Sequence, residues 1–73
     1  MQELNRLSLQ LGIAVADWNA NLTASLSQIA EATMDYLNCL RQLVRENKIT
    51  KEEIPSYTAI IGEAWGALIP KPS

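Results

Sequence analysis

The sequence predicts an all-α protein. A long N-terminal helix, spanning about residues 3–46, turns at a corner over 47–55 into a shorter helix over about 55–69, leaving a Pro-containing tail at 70–73. Three observations carry this. Leu4, Leu7, Leu11, Val15, Trp18, Leu22, Leu26, Ile29, Thr33, Leu37, Leu40 and Val44 follow one another at steps of three and four, the period of a helix with one buried face. Only three Gly and three Pro occur among 73 residues, so turn material is scarce and the elements must be few and long. Thr50 and Glu53 form a Thr-x-x-Glu capping box, which opens a new helical turn after the basic end of the first element.

Between Arg6 and Glu31 the long helix carries a single formal charge, Asp17. Leu7, Leu9, Leu11, Ile13 and Val15 also alternate with smaller or polar residues, a strand signal, but Leu, Ala and Gln are good helix formers and no partner strand follows. As a helix the segment is apolar on two faces, one through Leu4, Leu7, Leu11 and Trp18 and another through Leu9, Ile13, Ala16 and Ala20. Such a helix is expected to be buried on more than one side. Continuity is open at one place. Asp17, Asn19 and Asn21 are cap-type residues, and Ser25 with Gln28 forms a second capping box, so the alternative to one long helix is a break near Asp17–Asn21.

The first element closes in Arg41, Arg45, Asn47 and Lys48, cations that complement a helix C-terminus and an Asn suited to left-handed termination. Pro55 lies too deep for a helix begun at Thr50, so a short turn should precede a main helix starting at Pro55, with Ile54 extended. That helix presents Tyr57, Ile60, Ile61, Ala64, Trp65 and Leu68 and stops before Pro70. Gly62 and Gly66, four apart, leave room for close approach by another backbone or a bulky side chain.

A chain of this length forms one domain, and its core supplies no more than about 3–5 kcal/mol. One cysteine, Cys39, and no histidine exclude an internal disulfide and a Cys/His zinc site, leaving self-association as the means of adding stability. The shorter helix reaches only the nearer part of the longer one. Leu4, Leu7, Leu11, Val15, Trp18 and Leu22 are therefore expected to lack a lid from their own chain and to form a dimer or partner interface, two hairpins pairing as a four-helix-type bundle. Trp18, ringed by Asp17, Asn19 and Asn21, is the expected anchor.

The net charge of −2 argues against a nucleic-acid binder. Charge is nevertheless uneven, with Arg41, Arg45, Lys48 and Lys51 forming the basic cluster and a candidate site of electrostatic docking. Without histidine or a second cysteine, the usual acid–base, nucleophile and metal constellations lack members, so no catalytic residue, metal or cofactor is expected. Glu31 and Asp35 share a helix face but read as solvated charges, and no glycine lies in a phosphate-loop motif. Ala14, Val15 and Ala16 have the small-x-small form of a signal-peptidase site, yet Glu3, Ser8 and Gln10 spoil the leader, and polar residues interrupt any membrane span. The expectation is a cytoplasmic, non-enzymatic protein–protein interaction module, an adaptor, inhibitor or assembly subunit working as a homodimer with a further protein partner. The alternative is a dimeric nucleic-acid-associated regulator that uses Arg41, Arg45, Lys48 and Lys51.

Overall fold

The computed structural model describes residues 2–20 and 25–70. These form α1 (Gln2–Asn19), α2 (Leu26–Arg45), a single 3-10 turn (Lys51–Glu53) and α3 (Ile54–Gly66), with no strand among the described residues. The molecule measures 44 × 18 × 16 Å, the proportions of a short helical bundle.

The apolar period runs on from Trp18 to Ile29, but the helix does not. α1 ends at Asn19, and α2 starts after Ser25, whose backbone is extended at φ −121 and ψ 164. The Ser25 hydroxyl accepts from the Gln28 N–H at 3.3 Å and the Gln28 side chain accepts from the Ser25 N–H at 3.0 Å, a reciprocal capping box that satisfies helix-start donors. The break thus lies where the cap-type residues cluster.

Breaking there reverses the chain. Leu4 and Leu7 of α1 pack with Tyr36, Leu40 and Ile49, while Leu11 and Val15 pack with Ile29, so α1 and α2 run antiparallel. α3 returns along both, adding Ile54, Tyr57 and Ile60 to the first cluster, Ala64 to the second and Ile61 to each, and Leu68 just after it joins the second. The expectation that the N-terminal stretch lacks an intramolecular lid is therefore corrected. Leu4, Leu7, Leu11 and Val15 are buried within the single chain, because the second half of the supposed long helix folds back and covers the first.

Tyr36 sits at the centre, fully buried, and donates its hydroxyl to the Tyr57 carbonyl at 3.0 Å. No buried side-chain nitrogen or oxygen among the described residues lacks a partner, as a low-dielectric core requires. Burial pushes the Tyr36 hydroxyl above its ordinary 10.0, helped by Tyr57 and Cys39. Burial likewise pushes the half-buried Cys39 thiol above its ordinary 9.0, with Glu3 adding to the rise and Arg6 opposing it.

α2 ends in a left-handed turn at Asn47, φ 60. The Lys48 N–H donates to Leu43 O at 2.9 Å and the Asn47 N–H to Val44 O at 3.1 Å, the paired bonds of a Schellman closure. That turn drops Ile49, 2% exposed, into the first core cluster. Thr50 then starts the 3-10 turn, its N–H and hydroxyl both donating to the Glu53 carboxylate at 3.2 and 3.0 Å. Ile54 is helical, φ −54 and ψ −45, rather than extended as Pro55 led us to expect. The 3-10 turn feeds directly into α3, so the missing proline N–H falls among donors that a helix start leaves unpaired anyway.

Two outcomes follow for stability. Asn47→Ala lowers it by about 1 kcal/mol and Asn47→Gly raises it by up to about 0.5 kcal/mol, because only the left-handed conformation is at issue; urea unfolding of the three proteins reads both. Above the ordinary values of 9.0 and 10.0 the folded chain retains thiol and phenol protons that the unfolded chain has released. Their contribution is complete below that range and fades as pH rises through the raised values, so the urea midpoint falls between neutrality and strong alkali, less steeply in Cys39→Ala.

Candidate partner-binding surface

One flank of α2 carries Leu26, Ala30, Met34, Leu37, Arg41 and Val44 at helical spacing, a second line beside the core-facing one. Against its C-terminal half, α3 sets Ile54 and Thr58, and the crease between them is a groove of about 330 Å³ lined by Leu37, Leu40, Arg41, Val44, Arg45, Ile54 and Thr58. Buried Leu40 is its floor. The Thr58 hydroxyl donates back to the carbonyls of Ile54 and Pro55, both at 3.2 Å, so the lining is apolar apart from the two guanidinium groups.

Arg41 and Arg45 are exposed, and the ion pairs among the described residues do not include them. Lys48 is engaged instead, its ammonium 3.1 Å from Glu46. The Glu46 carboxyl is held below its ordinary value first by a 2.7 Å bond from the Gln42 side chain and then by Lys48. Lys51 lies exposed at the start of the 3-10 turn. The predicted basic cluster thus divides into a pair of unpaired arginines on the groove, one neutralised lysine and one solvated lysine.

Further along the same crease the Trp65 indole N–H donates to Thr33 Oγ1 at 3.0 Å, and the Thr33 hydroxyl donates in turn to Ile29 O at 2.8 Å. This chain fixes the ring by its edge and leaves part of it exposed. Leu26, Met34 and Ile69 are also large exposed hydrophobics. Gly62, inside α3, has an ordinary backbone, and a Cβ there would meet nothing within 4 Å. Glycine within a helix costs about 0.5–1 kcal/mol relative to alanine, and no contact among the described residues calls for it.

The other predicted interface residues lie elsewhere. Leu4, Leu7, Leu11 and Val15 are in the core. Trp18 is covered by its own chain, packing with the second cluster and donating its indole N–H to Ile69 O at 3.0 Å. That contact corrects the case for Trp18 as a free anchor, which assumed that α3 fell short of it. Asn19 completes the clamp, donating to Ala67 O at 3.0 Å and accepting from the Ile69 N–H at 2.9 Å. Leu22 lies outside the described residues. What the sequence reading missed as surface on α2, namely Leu26, Met34 and Leu37, was legible as a second apolar line, of the kind noted on α1 but overlooked on α2.

On the opposite crease, α1 and α2 leave a groove of about 270 Å³ bordered by Asp17, Glu31 and Asp35. Among the described residues no three acidic, cysteine or histidine side chains converge as metal ligands. None of the described helices is long and apolar enough to cross a membrane. No protein-family model matches the chain, and neither a curated protein nor a solved structure matches it significantly.

Removing the clamp tests the placement of Trp18. Asn19→Ala deletes two side-chain bonds to the segment after α3 and costs about 1 kcal/mol, the scale of an ordinary hydrogen bond. The change appears as lowered thermal stability together with a red shift of tryptophan emission.

Proposed function

We propose that this protein is a non-enzymatic interaction module that accepts an amphipathic helix of a partner protein in the crease between α2 and α3. The observation that carries the reading is the joining of an apolar groove to two cations, Arg41 and Arg45, that pair with no acidic side chain among the described residues. An apolar stripe at helical spacing would fill the line from Leu26 to Val44, and carboxylates at one end of it would meet the arginines. Gly62 would let the visiting backbone lie close to α3. The apolar contacts would supply affinity, and the charges would set orientation.

Self-association remains part of this reading, but not through the stripe from Leu4 to Val15, which the chain encloses. A dimer has to use another surface. Nucleic-acid binding is less well supported, because the surface between Arg41 and Arg45 is formed by Leu37, Leu40 and Val44, and Lys48 already faces Glu46. A phosphate backbone offers nothing apolar to such a groove.

The test uses a synthetic helical peptide with Leu at i, i+3, i+4 and i+7 and Glu at one end, followed by amide shifts of the labelled protein. Shifts should gather on the outer side of α2 and on α3, and Leu37→Asp should abolish them. Arg41→Glu with Arg45→Glu should weaken binding about tenfold, the worth of a partly exposed charge pair or two. Failure of the peptide to bind, or unchanged binding to Leu37→Asp, overturns the proposal. Stronger binding of a DNA duplex than of the peptide, with a steep salt dependence, favours the nucleic-acid alternative.

A further inference from the structure

α1 presents to solvent the second apolar face that the sequence placed in a buried setting. Asn5, Leu9, Gly12, Ile13, Ala16 and Ala20 are all exposed, and none of them is charged. Leu9 at 65% and Ile13 at 52% are among the most exposed large hydrophobics of the chain. Neither of the other helices covers this face, since α2 and α3 pack on the Leu4, Leu7, Leu11 and Val15 side. A Cβ on Gly12 would also meet nothing within 4 Å.

We infer that this face pairs with the same face of a second copy, two α1 helices lying antiparallel about a two-fold axis near Leu11 and Gly12. Charge complementarity selects that occupant. Arg6 and Asp17 are about three helical turns apart and so lie on the same edge of the face. A two-fold axis midway between them puts like edges together and reverses direction, which brings Arg6 of each copy opposite Asp17 of the other. Among the described residues Asp17 forms no ion pair. Arg6 holds Glu3 at 2.6 Å but has further guanidinium donors to offer. In the same arrangement Leu9 of one copy lies beside Ile13 of the other, and Gly12 and Ala16 permit close approach of the two helices. The α2/α3 crease is a poor occupant for this face, because an uncharged surface leaves Arg41 and Arg45 unanswered. The pairing is therefore closed at two copies, with both creases facing outward.

Sedimentation equilibrium of the full chain tests this directly. The wild type should pass with rising concentration from 8.1 kDa to twice that mass. Ile13→Glu should hold it at the lower mass with helicity unchanged, since that side chain supports nothing in the core. Arg6→Asp or Asp17→Arg alone should weaken self-association about tenfold, and the two together should restore it, as a charge pair exchanged across the axis demands. A wild type that stays at 8.1 kDa to millimolar concentration, an Ile13→Glu protein that still dimerises, or a double exchange that fails to restore pairing each overturns the inference.

Discussion

The fold depends on the chain reversing between Asn19 and Ser25. Up to Trp18 the sequence carries an apolar stripe that a straight helix would hold out to water, and a monomer cannot leave so much of it exposed. Reversal brings the stripe of α1 against the stripe of α2, so that Leu11 and Val15 meet Ile29 and Leu4 and Leu7 meet Tyr36 and Leu40. Two local devices fix the place. The capping box at Ser25 makes a helix start there favourable, and Trp18 with Asn19 ties the end of α1 to the segment after α3. Residues on either side of the reversal thus perform separate tasks, Ser25 starting a helix and Trp18 with Asn19 joining α1 to the segment after α3.

Helical character, the Asn47 terminator and the capping boxes were legible from sequence, because each rests on contacts within a few residues. Choosing between one helix and two was not, because the apolar period runs on through the break and the decision rests on contacts between distant residues. From that single open point came the larger error, an N-terminal half thought to need a second molecule for its cover. Ile49 escaped notice for a related reason. It lies between helices, where no periodicity marks it, and only the left-handed turn at Asn47 aims it inward.

The surface shows the converse. Arg41 and Arg45 were visible as cations, but only folding reveals that α3 brings Ile54 and Thr58 beside them and converts a charged helix end into a groove with an apolar lining. The outer face of α1 could be read from the sequence and was, yet its burial was assigned on periodicity alone. Exposure of Leu9 and Ile13 now separates surface that the chain covers by itself from surface that it does not.

Ile61 contacts both core clusters, the one around Tyr36 and the one around Ile29. Without such a bridge an elongated molecule with two small interiors would tend to melt in halves, each end opening on its own. One isoleucine in the middle of α3 couples those ends, so the loosening of either is felt by the other. Burial at this one position of α3 is thus shared between two interiors that α1 and α2 also run through.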